Sequence, residues 1–470
     1  MKRTRASFRS SRSSSSRYLT TRIPPALGKA PAEGDGAAVP LASRLWPLDT
    51  ATGRDGHLRL GGVDAVRLAD RYGTPLYVYD AATVRSAYRA YVTALRPYRP
   101  ARVSYSVKAC PLIGVAALLA AAGADASAAS VGELQAARRA GFALERAQLH
   151  GNAKTQDELG TALGLRVGRI VVDGADEVER LARLVRRRRS PQPVWLRLSP
   201  GIDADTHPHL RTGVLDSKFG APIPGGDALA QARAIAGTPG LRLVGIHAHI
   251  GTLLHEEGRY RELAASLARF AVELAGAGVR IAEIAVGGGL GIPLRIDDPV
   301  LALRDYAAAI GEPIRAEPAL AKATIHVEPG RSLVGAAGVA LYRVIGTKRV
   351  AGVRTFVSVD GGMGDNIRPA LYGARYSAIV ADRALAPPQE DVALAGKYCE
   401  SGDLLIEQVG LPTPRPGEVV AIPAAGAYAV AMASNYNSYP RPAVVLIDRG
   451  RARLIRRRES VSDIWRLERR

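Results

Sequence analysis

The chain has 470 residues, 47% hydrophobic and 23% charged, an ordinary globular composition with room for two or three domains. That excludes a mostly disordered chain, a collagen-like chain and a disulfide scaffold, and no apolar run approaches the ~18 residues of a membrane span. The formal charge is +20, but residues 1–22 hold seven Lys/Arg and no acid, residues 449–470 hold nine Arg against three acids, and the 426 residues between carry only +7. A fold that bound nucleic acid would show a basic stripe interleaved with aromatics, and aromatics are only 5%. The one internal basic run, Arg186 to Arg189, precedes Ser190-Pro191 and reads as a solvated helix end. The two cysteines, Cys110 and Cys399, lie far apart in a chain that needs no staple, which points to a reducing, cytoplasmic setting.

In chain order, residues 1–40 are rich in Ser, Arg, Pro, Ala and Gly without apolar periodicity and read as a disordered basic tail. No apolar segment follows the basic start as in a secretory signal; a transit peptide or a mis-assigned start would share the composition. Residues 41–75 form an N-terminal segment contributing to a β domain, and 56–80 feeds both domains. Short β-rich runs then alternate with Ala/Leu/Arg-rich helical stretches. Strands are expected near 102–107, 124–127, 148–151, 170–173, 194–199, 243–249, 283–287 and 324–328, with helices such as 131–141, 176–187 and 259–276 between them. Eight alternations predict an α/β fold with a (β/α)8 barrel over 76–332. From 333 to 448 the rhythm becomes strand, turn, strand, at Val339 to Val344, Thr355 to Val359, Leu404 to Glu407, Glu418 to Ile422 and Val444 to Ile447, which predicts an all-β domain. Residues 449–470 are left as an Arg-rich C-terminal tail.

Barrel enzymes take their reacting groups from the C-terminal ends of strands. The first strand ends Tyr105-Ser106-Val107-Lys108, and a lysine desolvated at an apolar strand end has a lowered pKa and forms Schiff bases readily. The sixth ends His247-Ala248-His249; residues two apart share a face, as a metal pair, as core histidines, or as an imidazole wall for a flat cofactor. The seventh ends Val286-Gly287-Gly288-Gly289, which lacks the Lys-Ser/Thr of a nucleotide loop but lets backbone amides approach a phosphate. The eighth ends Glu328-Pro329-Gly330-Arg331. A carboxylate against a pyridine nitrogen keeps that nitrogen protonated and the ring an electron sink. Lysine for an aldehyde, imidazole for a ring face, glycines for a phosphate and glutamate for a ring nitrogen together describe pyridoxal 5'-phosphate. A metal hydrolase would account for the two histidines and nothing else, so no metal is expected.

These residues resemble those of the diaminopimelate decarboxylases, pyridoxal-phosphate enzymes of the alanine-racemase-like, fold-type III class. The similarity runs from about residue 56 to 448 and includes Asp125 to Glu133, His150-Gly151-Asn152, Pro200 to Asp203 continuing to Thr212-Gly213, Asp216 to Gly220, Asp360 to Met363, Arg368 to Gly373, Cys399 to Asp403, Gly426-Ala427-Tyr428 and Ser434 to Asn437. The resemblance implies that Lys108 bonds the cofactor and that His249 stacks on its ring, with Thr252 standing where serine is common. It gives Gly287 to Gly289, with Pro329, Gly330 and Arg331, the surroundings of the cofactor, Glu328 the ring nitrogen, and Tyr428 a further contact. It implies that meso-2,6-diaminopimelate loses CO2 to give L-lysine, with Cys399, from the partner subunit of a homodimer, returning a proton to Cα. Arg331, Arg368 and Tyr372 would take the distal carboxylate and Glu400 the distal ammonium, with Tyr428 beside them. Where the family usually has Lys-Ala-Asn, this chain has Lys108-Ala109-Cys110. A same-fold decarboxylase of another diamino acid and a catalytically silent cofactor-binding regulator are the alternatives; Arg368, Tyr372 and Glu400 argue against the first, and Lys108 and Cys399 against the second.

Overall fold

The computed structural model describes residues 44–202 and 216–469. The tail expected over 1–40 and the part of the family-like motif from 203 to 213 lie outside the described residues. Eight parallel strands close on themselves: Ala101–Ser106, Asp125–Ala128, Gln148–Leu149, Arg169–Val172, Gln192–Ser199, Leu241–Ala248, Glu283–Ala285 and Thr324–Val327, the last pairing with the first. Each falls within a few residues of its expected place. Arg-Ile-Val-Val at 169–172 shows why: β-branched side chains favour the extended chain, and the last three are buried under the helical layer. Intervening helices carry local start signals. Thr155 and Glu158 form a reciprocal capping box for Gln156–Gly164, and Ser130 caps Val131–Ala140, which ends at Gly141 with φ of 94°.

The barrel floor is filled. Trp195 Nε1 donates to Glu283 Oε2 at 2.6 Å, Glu283 pairs with Arg169, and the His326 ring packs edge-on against Trp195. The active-site cavity expected of a barrel enzyme lies at the other end, where the strands' C-terminal ends are.

The second sheet runs in the order Leu404–Leu411, Glu390–Ala395, Arg354–Val359, Gly338–Val350, Leu76–Asp80, Ala443–Asp448, Arg451–Arg456, with Val419–Ile422 pairing a second stretch of the long strand. Two expectations need correction here. Leu76–Asp80, counted within the barrel span 76–332, lies inside this sheet between Gly338–Val350 and Ala443–Asp448. Its period of two explains the position: Tyr77 and Tyr79 join the core shared with the barrel, while Leu76 and Val78 join the core that Leu45, Trp46, Leu58 and Leu60 form with Val339 and Val445. The Arg-rich end is not merely a tail, because Arg451–Arg456 adds an antiparallel edge strand and Val461–Trp465 a short helix. Charged side chains suit an edge exposed to water.

Candidate active site

A cavity of about 450 Å³ opens at the strands' C-terminal ends and is walled by both regions. Lys108, His249, Thr252, Gly288, Gly289, Glu328, Gly330, Arg331, Arg368, Tyr372 and Tyr428 all line it, with Gly287 and Pro329 adjoining in sequence. Lys108 departs from the expectation of a desolvated strand-end lysine. The strand stops at Ser106, and a 3-10 turn over Val107–Ala109 carries Lys108 out into the cavity, where its side chain is exposed. Neighbours on both sides fix that turn. Ser106 N donates to Pro329 O at 3.1 Å, and Tyr428 N, from the β region, donates to Ala109 O at 2.8 Å. Tyr428 makes this contact at φ of 60°, a left-handed conformation that a bulky residue adopts only when its surroundings hold it there.

Opposite the lysine, the glycine turn fits tightly against two strand ends. A Cβ at Gly288 would lie 2.3 Å from Glu328 O, one at Gly289 would lie 2.3 Å from Gly251 O, and one at Gly287 would lie 2.8 Å from His249 Nδ1. The turn's carbonyls are spoken for: Gly287 O accepts from Glu328 N and Gly289 O from Leu254 N. Gly288→Ala is therefore expected to cost about 1–3 kcal/mol of overpacking and to weaken cofactor retention roughly tenfold. Cofactor absorbance after dialysis measures this, and retention equal to the parent would mean the turn can shift freely.

Glu328 is held between two imidazoles, His150 Nε2 at 2.8 Å and His247 Nε2 at 3.1 Å. Burial alone would raise its carboxyl, but the two histidines overcome that and hold it well below the usual carboxylate range. Burial pushes His247 down to about 4, and burial with the nearby Lys108 cation pushes His249 well below the usual imidazole range. The cavity thus presents an ionised carboxylate together with the neutral imidazoles of His247 and His249. The atoms of His150, His247 and Glu328 lie close enough together for a metal ion, within 4.8 Å. Lys108, Arg197, Arg331 and Arg368 line the same cavity, however, and their charge opposes a metal ion there. His249, the other half of the pair seen in the sequence, is outside that cluster.

The far wall carries two buried guanidiniums. Arg331 is 5% exposed and Arg368 1%. Arg368 Nε donates to Tyr376 Oη at 3.1 Å, and the two guanidinium carbons sit 4.8 and 5.9 Å from the Tyr428 ring centroid. Arg331 Nε and Arg368 Nη2 have no hydrogen-bond partner among the described residues. Burial, and then the charge of Arg368, push Arg331 down to about 10. Two buried cations with spare N–H groups make a site for an anion.

Cys399 and Glu400 are not brought to this cavity by their own chain; both are exposed on the loop after Tyr398. Arg197 escaped the sequence reading, and His150 was quoted in a motif but given no role. Arg197 lines the cavity, with its guanidinium 4.1 Å from the Phe219 ring centroid and 3.7 Å from Asp173, and His150 supports Glu328. The signal for Arg197 was a charge set between Leu196 and Leu198 near the end of a buried strand. Cys110 is buried, its Sγ 3.4 Å from Tyr79 Oη, with burial raising the thiol to about 11.

Amine, neutral imidazole, glycine turn and ionised glutamate at one barrel mouth fit pyridoxal phosphate, and they define a pyridoxal-phosphate enzyme of the alanine-racemase-like, fold-type III class. The family described as "Pyridoxal-dependent decarboxylase, pyridoxal binding domain" matches residues 81–335. Diaminopimelate decarboxylases from Actinosynnema pretiosum and Bacillus subtilis are 43% and 40% identical to the chain, covering 91% and 88% of it and 96% and 95% of their own lengths. The crystal structure of the diaminopimelate decarboxylase from M. jannaschii in co-complex with L-lysine is 32% identical and covers 89% of this chain and 97% of its own, with a TM-score of 0.83. The chain belongs to the diaminopimelate decarboxylase family.

Proposed function

We propose that this chain converts meso-2,6-diaminopimelate to L-lysine and CO2, the last step of lysine biosynthesis. The observation that carries the reading is the Arg331–Arg368 pair, two buried cations with unpartnered N–H groups in the same cavity as Lys108 and Glu328. A diamino dicarboxylic acid offers a carboxylate at the end that does not react; ornithine and lysine do not. The M. jannaschii relative's complex with L-lysine agrees with this product.

Bound pyridoxal phosphate supplies an electron sink for the bonding pair left when the Cα–carboxylate bond breaks. Lys108 would hold its aldehyde, His249 its ring face and Glu328 its ring nitrogen, with the glycine turn, Thr252, Pro329 and Gly330 around its phosphate. The ionised state of Glu328 suits its part, and the neutral ring of His249 can stack without adding a positive charge. Arg331, Arg368 and Tyr372 orient the distal carboxylate, with Tyr428 closing the wall behind them, and Glu400 takes the distal ammonium. Cys399 Sγ would hold the proton that Cα receives. That Cys399 and Glu400 stand exposed outside their own chain's cavity supports a homodimer whose subunits exchange these residues. An exposed thiol that must stay reduced also favours the cytoplasm. Among the described residues no helix is long and apolar enough to cross a membrane.

The test is CO2 release by the cofactor-loaded protein from meso-diaminopimelate, with L-lysine and L-ornithine in parallel. Release from diaminopimelate alone is expected. Equal release from ornithine would remove the distal-carboxylate argument, and no release from any of the three would leave a cofactor-binding protein.

A further inference from the structure

The segment after residue 448 has no part in the proposed reaction, yet it reaches the loop that touches Cys399. We propose that Glu459 is a positioning residue for Cys399 and Glu400, acting through residues 434–439. This rests on Cys399 being the proton donor. The backbone N–H of Cys399 donates to Asn437 Oδ1 at 2.9 Å, and Tyr436 Oη donates to Glu400 Oε2 at 3.3 Å. The Tyr436 ring also stacks on Tyr398, with centroids 6.1 Å apart and planes 7° from parallel. One short loop therefore grips both residues.

That loop cannot hold its shape unaided. Asn437 and Ser438 sit at φ of 51° and 59°, conformations that persist only when neighbours over-determine them. Glu459 is such a neighbour. Its Oε2 accepts from Asn435 Nδ2 at 2.7 Å and from Arg441 N at 3.0 Å, and its Oε1 accepts from Arg441 Nε at 2.7 Å and from Arg441 Nη2. Both carboxylate oxygens are thus spent on the two ends of the loop. The Arg441 fork keeps Glu459 at about 2, so its charge persists through any working pH. Strand Arg451–Arg456 anchors the other side: a Cβ on Gly114, in the helix after the Lys108 turn, would lie 3.0 Å from Ile455 Cγ2. The arm is fastened to the barrel beside one reacting group and clamps the loop that holds the backbone of the other.

The experiment uses the full chain, with Glu459→Ala and Asn437→Ala each made alone and in a Cys399→Ala background. In the cofactor-loaded protein with meso-diaminopimelate, kcat is expected to fall roughly 10–100-fold for each single variant, as for a donor displaced by about 1 Å. In the Cys399→Ala background the same substitutions should change kcat by less than about twofold, because coupled residues are non-additive. Iodoacetamide alkylation of Cys399 in cofactor-free protein gives a second readout, since Cys110 is buried, and its rate should change severalfold. Glu459→Gln keeps an acceptor for Asn435 and should recover part of kcat; it and Asn437→Ala carry the test if Glu459→Ala does not fold. Equal losses in both backgrounds, or an unchanged alkylation rate, would overturn the positioning role while leaving the proton-donor reading intact. Parental activity in Cys399→Ala would overturn that reading, and this inference with it.

Discussion

A mixture of Lys108→Ala and Cys399→Ala chains is expected to recover about a quarter of parental activity, although each variant alone is reduced by roughly 10³-fold or more. The fraction follows from the proposed two-fold dimer with shared sites. In a mixed dimer one site pairs intact Lys108 with intact Cys399, and the other has lost both. Random reassortment makes about half of all dimers mixed, so about one site in four is complete. The structural ground is that Lys108 points into its own chain's cavity while Cys399 and Glu400 are exposed elsewhere. Subunits need time to exchange, so the mixture is unfolded and refolded together before the CO2 assay. No recovery after refolding that restores parental chains would mean each site is built from one chain. The proton would then have to come from a group already in the cavity.

Much of the barrel was legible because parallel strands covered on both faces read as apolar runs. Arg169–Val172 and Thr324–Val327 are visible on that signal alone. Membership of a sheet is another matter. Leu76–Asp80 has an ordinary strand pattern, and nothing local says that it pairs with strands more than 250 residues later rather than with the next one. Arg451–Arg456 escaped because an edge strand with exposed arginines carries no apolar run. Glu390–Ala395 opens on two acids, and only its last four residues look like a strand.

The site divides along similar lines. Reading strand ends found Lys108, His249, Glu328 and Arg331 because the barrel collects those ends at one mouth. It did not foresee that Lys108 leaves its strand by a 3-10 turn, nor that a tyrosine at positive φ from the β region pins that turn. Contacts made between the two regions are tertiary facts without a local pattern. The resemblance grouped Arg331 with Arg368, but no local pattern shows that they are neighbours with spare N–H groups.

That pairing leads to an expectation of opposite sign for stability and for activity. Arg368→Met keeps most of the buried volume and removes one of two mutually repelling cations. Burial first, and Arg368 second, hold the Arg331 guanidinium down at about 10. A cation whose folded pKa is depressed destabilises the fold wherever it is charged. That cost is present in full below about pH 10 and fades only as the pH rises from there toward the ordinary arginine range. Relieving the Arg368 part should thus stabilise the cofactor-free protein by about 1–2 kcal/mol at neutral pH, even after the hydrogen bond to Tyr376 Oη is lost. In the proposed reading the substrate's distal carboxylate loses a buried partner by the same change, so kcat/KM for meso-diaminopimelate should fall more than tenfold, about 2–5 kcal/mol in transition-state binding. Thermal unfolding and steady-state kinetics on one preparation check both signs. A Tm that drops together with activity would make Arg368 part of the scaffold, and a Tm that rises while kcat/KM stays unchanged would mean the distal carboxylate is bound elsewhere. Only the combination of higher stability and lost activity is what a site strained to receive an anion predicts.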